Sequence, residues 1–541
     1  MASSEQLRVD PDGRRRSCRQ AALAVALQKR TCTDLQASEQ LRPHLKALDL
    51  TLIGVGASVG SGIFVIAGVA ARPTGPAVCI SFLVAAVSSM FSAFCYAELA
   101  ARIPVSGNVY LYAYVAFGEI FAVLFGLNLL VDFHVGAALG ALSCATYLRN
   151  TLEAIEWFGW LPSPQVLAVF LMVLLTATLC AGVEKGLKRA NGVLVSAKVA
   201  IVLLIIAVGI CKADPGNLVP FMPFGLMPVA SMSTTCCFSY IGFGTVASAA
   251  EECVNPQRDL PIGITASLVI CAVLYVSFAL VLCGIVPFGE IDKAAPVTAA
   301  FGPKYANIPW IGVLVNWGAI IGIYTTLLTG LYSQARMYLA IARDGLIFDF
   351  LRYVSPRFGT PVKAQILCGV IAALLATSLP LDRLIRYLNI GVLASYTVVC
   401  AGVLVLRADR PATAAINSAV LSIASVLAPV LAEWTAAGAF FASGATLKLV
   451  IYILLIAIVC ATWAPLMRQS YARPSSFACP LCPLLPAMGI TFNGYLLSQC
   501  HWEAWVRLGL TTILVLVGYG IRVKRALSAN QECETEGIGL S

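Results

Sequence analysis

The sequence predicts an all-α polytopic membrane protein of about fourteen transmembrane helices, with a five-plus-five inverted-repeat core whose first and sixth helices are broken. Three observations predict it. The 541 residues are 59% hydrophobic and 12% charged, with a mean hydropathy of +0.86, whereas soluble domains are roughly 45–50% apolar and about 25% charged. Apolar runs of bilayer length, about 20 residues, recur along the chain, and no series of short alternating segments suggests a barrel. Two of those runs, five apart, are interrupted by glycines at mid-span.

In order, the runs fall near 47–72, 77–100, 118–147, 163–182, 191–211, 229–252, 262–286, 309–334, 362–379, 388–407, 415–433, 447–466, 482–498 and 507–522. The organisation that follows is an N-terminal tail over 1–46, a first five-helix repeat over 47–212 and a second, inverted one over 229–407. Four additional helices over 415–522 and a tail over 523–541 complete it. The basic stretches "DGRRRSCRQ" and "LQKR" in the first tail, with the Lys and Arg of alternate loops, place both termini in the cytoplasm. The net charge of +9 is then a topology signal, with no nucleic acid implied. The tail starts without the apolar region of a cleavable signal peptide. "QAALAVALQKR" fits either a surface amphipathic helix or a disordered segment.

The first run contains "GVGASVGSG", Gly54 to Gly62. Interior glycines cost a helix about 0.5–1 kcal/mol each relative to alanine. One reading is close helix packing, since Gly56 and Gly60 fit a small-xxx-small pattern. The other is an unwound stretch, which lipid tolerates only where it is buried in protein or lines a cavity. The freed amides there would favour an anion and the freed carbonyls a cation, the two charges of a zwitterion. The sixth run favours the second reading: "CCFSYIGFGTVASAAEE" has its own interruption at Gly242 and Gly244. Five is odd, so a duplicated unit re-enters the membrane inverted, and paired interrupted helices in inverted halves mark a transporter's binding site.

With these residues in view, the chain resembles the cationic amino acid transporter family of the amino acid–polyamine–organocation superfamily. The likeness rests on "GVGASVGSGIFVIAG", "CYAELAARIPVSGNVYLYAYVAFGE", "AAEECVNPQRDLPIGI", "YSQARMYLAIARDGLIF", "VSPRFGTPV" and "LNIGVLASY". It implies that the backbone amides of Gly60, Ser61 and Gly62 hold a substrate α-carboxylate. The carbonyls of Ser58, Val59, Phe238 and Ile241 would accept the α-ammonium, and Phe243 would sit at the side-chain end of the site. Arg and Lys are the substrates the family favours; a neutral or broad-range amino acid transporter is the alternative, and an amino-acid-sensing receptor that does not transport is another.

Lys198, in "VSAKVAIVLLII", stands inside a span, where an ionisable residue is costly and by default functional. The resemblance implies that it braces the unwound first span in place of a sodium ion, with a proton coupling transport to pH. Asp132 stands where family members usually carry Glu and is the second candidate for coupling, with His134 two residues on and on another face. Gly244 replaces the usual Asp of the sixth-span motif, which bears on both site charge and proton coupling. Glu251 and Glu252 could pair with Arg258, or with Arg336 and Arg343, as an inner latch. Pro104, Gly107, Tyr110, Tyr112 and Tyr114 suggest an interfacial helix with aromatic anchors, and "RMYLAIARDGLIFDFLRYVSPRFGTP" a second linker in the corresponding place.

Three histidines, with no HExxH or GxSxG, give no catalytic constellation, so no enzyme is expected. "CPLCP" lacks a second Cys/His pair to close a tetrahedral site, so neither metal nor cofactor is expected. The expected partners are an amino acid, protons and the lipid bilayer, with no obligate protein partner. No N-x-Ser/Thr site falls in an outside loop, which leaves the plasma membrane and a vacuolar or other endomembrane open.

Overall fold

A computed structural model of the chain describes residues 45–105, 108–154, 162–181, 184–292, 295–356, 359–437 and 445–535. The N-terminal tail up to residue 44, with its amphipathic stretch, and Gly107 of the first linker lie outside the described residues.

Every expected span is occupied by helix. The first is split into α1 (Ala47–Ser58) and α2 (Ala67–Thr74), joined through a π-helical turn, Gly62–Ile66. There follow α3 (Val78–Arg102), the short α4 (Asn108–Phe117), α5 (Glu119–Ala154), α6 (Pro164–Cys180) and α7 (Glu184–Lys212). The sixth span is again split, into α8 (Leu226–Cys236) and α9 (Phe243–Ser248), with a 3-10 turn at Cys237–Tyr240. Next come α10 (Pro256–Ile285), the short α11 (Pro296–Phe301), α12 (Pro309–Arg343) and α13 (Val362–Ser378). The chain ends in α14 (Leu381–Tyr387), α15 (Ile390–Arg407), α16 (Pro411–Ala437), α17 (Ala445–Met467), α18 (Leu484–Ser498) and α19 (Trp502–Thr535). Prolines open α6, α10, α12 and α16, where a missing N–H costs nothing.

Among the described residues nine helices are long and apolar enough to cross a bilayer, and shorter apolar helices, α1, α6 and α13 among them, add to these. Hydropathy underestimates several lengths. The 36 residues of α5 span about 54 Å at 1.5 Å per residue, more than a bilayer core. The last helix likewise runs past 522 to Thr535, because polar helix formers continue it into water.

Packing sorts the spans into two groups. Helix α10 lies against α1 and α3, with α8 on α3 and α9 on α1; α5 lies against α12 and α13, with α6 on α13. The first, second, sixth and seventh spans thus form one body and the third, fourth, eighth and ninth another. Exposed apolar side chains such as Phe170, Val173, Ile270, Leu374, Ile423 and Leu514 cover the outside, as a lipid-facing surface requires.

Two expectations change in three dimensions. The tenth span is interrupted as well: Asn389 adopts a left-handed conformation, φ 75°, between α14 and α15. The signal is "LNIG", because asparagine tolerates that region better than most residues. The helix α4 forms, but its tyrosines are not interfacial anchors; Tyr110, Tyr112 and Tyr114 are 0%, 1% and 4% exposed. Two of the hydroxyl groups have protein acceptors: Tyr110 donates to Asp344 at 2.5 Å and Tyr114 to Glu119 at 2.7 Å, while that of Tyr112 has no partner among the described residues. Exposed aromatic rings instead occur in the second linker, where Phe348 and Phe350 stack at 5.7 Å.

Candidate substrate site at two broken helices

The first break begins at Val59, which leaves the helix with ψ 96°. Helical bonding resumes with the amides of Ile63 and Phe64, both donating to the Gly60 carbonyl. The amides of Gly60, Ser61 and Gly62 precede it and have no acceptor among the described residues. The second break comprises the 3-10 turn and Ile241–Gly242, after which Gly244 and Thr245 donate to the carbonyls of Ile241 and Gly242.

The two breaks face each other. A Cβ on Gly62 would lie 2.6 Å from Ser239 Oγ and 2.9 Å from its Cα; one on Gly242 would lie 2.2 Å from Ser58 Oγ and 2.6 Å from its backbone nitrogen. Each glycine lets its segment approach a serine of the other; the first segment is unwound at Val59, whereas the second is a tightened 3-10 turn in which Cys236, Ile241 and Gly242 keep helical dihedral angles. The Ser239 hydroxyl beside Gly62 is buried without a partner.

Freed carbonyls in a membrane need donors, and neighbouring spans supply them. Lys198, fully buried on α7, donates to the Gly56 carbonyl at 2.5 Å and to Thr325 Oγ1 at 3.2 Å. Thr326 Oγ1 lies 3.1 Å from the carbonyls of both Gly56 and Val59. Tyr147 donates to Phe64 O at 2.7 Å, and Tyr275 to Ser239 O at 3.0 Å. Asn389, at the break in the tenth span, donates to Thr234 O at 2.6 Å. The carbonyls are thus braced while the amides of residues 60–62 are left open: a concentration of positive dipole at the end of a half-helix.

Of the carbonyls expected to meet an ammonium, Val59 is shared with Thr326, Phe238 accepts Ile241 N at 3.4 Å, and Ile241 accepts Gly244 N at 3.0 Å. Each keeps a second lone pair. Phe243 is fully buried against Tyr96 at 5.3 Å and Tyr396 at 5.1 Å, so it belongs to a packed aromatic cluster on the side of α4. The carbonyl of Gly244 accepts from Asn108 Nδ2 at 3.2 Å, and a Cβ there would meet only that nitrogen, at 3.6 Å.

Lys198 thus lies beside the first break, whereas Asp132, one turn of α5 from the glycine that meets the Phe238 ring, turns its carboxylate to α15 and α19. Its Oδ1 pairs with Arg507 of α19 and its Oδ2 accepts Val392 N at 2.7 Å. His134 turns to Tyr338 at 2.9 Å, on another face of α5. Beyond α9, Glu252 pairs with Arg336 at 2.8 Å, whose guanidinium lies 3.9 Å over the Tyr332 ring. Leu45 bridges to that same turn, donating to Glu252 O at 2.9 Å and accepting from Val254 N at 3.0 Å. The side chain of Glu251 lies outside the described residues. The CPLCP loop is held by Glu98, which accepts from Cys479 N at 2.7 Å and pairs with Arg407 at 3.3 Å.

Sequence reasoning singled out the glycines, serines and Lys198, but not Thr326, Asn108, Asn389 and Arg507, which the structure places against the same segments or against Asp132. Threonine and asparagine in a span carry no distinctive pattern. Arg507 was visible as a charge at the start of the last span, but its partner is 375 positions away.

The "Amino acid permease" family model matches residues 45–461, and the "C-terminus of AA_permease" model matches 477–524. The chain is 39% identical over 507 residues to the chloroplastic cationic amino acid transporter 9 of Arabidopsis thaliana, covering 89% of this chain and 88% of that protein. It is 39% identical over 386 residues to the methylthioribose transporter of Bacillus subtilis (strain 168), covering 69% and 83%. It is 35% identical over 521 residues to that organism's branched-chain amino acid permease BcaP, covering 93% and 98%. Family models and relatives that match along most of the chain lead to one conclusion: this protein belongs to the amino acid permease family, within the amino acid–polyamine–organocation superfamily, and has cationic amino acid transporters among its relatives.

Proposed function

We propose that the chain is a secondary transporter of α-amino acids working by alternating access. The substrate lies between the two breaks, its α-carboxylate on the amides of Gly60, Ser61 and Gly62, its α-ammonium on carbonyls of Ser58, Val59, Phe238 and Ile241. The observation that carries this reading is the asymmetry at the breaks, where freed carbonyls have side-chain donors and the amides of residues 60–62 have no protein acceptor. A carboxylate completes that set.

The two five-helix units, 47–212 and 229–407, act as inverted repeats. The first, second, sixth and seventh spans rock against the third, fourth, eighth and ninth. Support comes from the packing of just those spans together. Both termini face the cytoplasm, and the Glu252–Arg336 pair latches the inner side. Lys198 occupies the bracing position a sodium ion would otherwise fill, so coupling is to protons or absent. The plasma membrane or an endomembrane is home. The printed names of relatives divide over the side chain: cationic amino acids for one, branched-chain for another.

Radiolabelled amino acid uptake into proteoliposomes tests this. Saturable, time-dependent accumulation is expected. Binding without accumulation would instead favour a receptor.

A further inference from the structure

Charged side chains near the inner end of the bundle occur as pairs, Glu98–Arg407, Glu252–Arg336 and Glu119–Arg522. Lys198 and Asp132 are buried within the spans, and Arg507 stands at the start of the last one, 13% exposed. Asp132 is one helical turn from Gly136, the α5 residue that meets the second break; a Cβ on Gly136 would lie 2.9 Å from the Phe238 ring. Positions i and i+4 share a helix face, so the carboxylate is placed on the side of α5 that borders the site. Asn389, three residues before Val392, ties the same junction to the last turn of α8. A carboxylate so placed could receive a cationic substrate side chain.

Both of its oxygens are already used. Oδ1 pairs with Arg507, 13% exposed, and Oδ2 caps the first turn of α15 through Val392 N. Among the described residues the buried Nε and Nη1 of Arg507 have no partner, so its charge is directed to this one carboxylate. Gly244 adds no side chain at the second break, and Lys198 brings no carboxylate to the first. A guanidinium or ammonium brought to this depth would meet no free counter-ion, and an unpaired buried charge is strongly disfavoured.

We propose that Arg507 is a specificity-determining residue: by occupying Asp132 from the C-terminal helix, it makes the site select amino acids with uncharged side chains. The inference rests on the transport reading above. It assigns a task in substrate choice to α19, which lies outside the ten-span core.

The test is a proteoliposome competition panel with leucine, methionine, arginine and lysine against radiolabelled leucine. Wild-type protein is expected to be inhibited at least tenfold more weakly by arginine and lysine than by methionine. Arg507→Gln, which keeps a donor to Asp132 but drops the charge, is expected to narrow that ratio at least fivefold, and Arg507→Lys to preserve it. If Arg507→Gln does not insert, Gly244→Asp puts the same question, because it adds a carboxylate where a Cβ has room; a narrowed ratio supports the inference. Arginine inhibiting the wild type as strongly as methionine overturns it, as does a folded, transporting carboxylate-freeing variant with an unchanged ratio. Absence of uptake for every amino acid would instead sink the transport reading itself, so the two failures are distinguishable.

Discussion

The ammonium of Lys198 donates to the carbonyl of Gly56 at 2.5 Å, from the fifth span to the last turn of the first half-helix. A buried lysine therefore holds the frayed end of the broken helix, and does not snorkel to an interface. The contact joins a titratable group to the backbone proposed to carry the substrate, so its protonation and the shape of the site are linked. Lys198→Ala is expected to lower uptake at least tenfold and to flatten its pH dependence, with surface expression retained. Initial rates at several pH values check this; a reduced rate with an unchanged pH profile would leave Lys198 as a brace alone.

Gly62 packs its Cα against Ser239, and its amide is one of the three proposed carboxylate donors. Gly62→Val places methyl groups where Ser239 already stands and drives the breaks apart. Transport is expected to be lost, with the protein inserted and monodisperse in detergent. Uptake near the wild-type level would remove the backbone site.

Beyond α9, at the end proposed to face the cytoplasm, the Glu252–Arg336 pair and the Leu45 bridge tie the first and sixth spans to the eighth. Arg336→Met removes the ion pair to Glu252, a loss of up to about 3–5 kcal/mol for a buried pair, and leaves the carboxylate its other partners, the Tyr332 hydroxyl at 3.4 Å among them. The closed arrangement loses that stabilisation, so the inward-open population should rise. Labelling of a Thr245→Cys variant by a membrane-impermeant thiol reagent from the cytoplasmic side is expected to accelerate several-fold in the Arg336→Met background. An unchanged rate would mean the pair is not a latch.

Glu98 is fully buried and holds both Arg407 and the amide of Cys479. Arg407→Met strands that carboxylate, and the same estimate of about 3–5 kcal/mol applies. A fall of several degrees in thermal midpoint in detergent is expected, with partial recovery in Glu98→Gln/Arg407→Met. If the double variant is no more stable than the single one, the loss lies in packing and not in charge.

Membrane class, span number and the places where two helices break were determined by the sequence itself, because each depends on local composition: apolar run length, basic residues in loops, glycines at mid-span. The resemblance named the family, which the comparisons show, and implied which backbone groups would face a substrate. Only the tertiary structure decided which partner each polar residue takes. Asp132 is a coupling candidate in the sequence, and its ion-pair partner, Arg507, comes from the far end of the chain. The α4 tyrosines looked like interfacial anchors, yet they are buried. In a membrane interior every polar group must find a partner inside the protein. That partner is set by how helices cross, which a one-dimensional pattern of hydropathy does not contain.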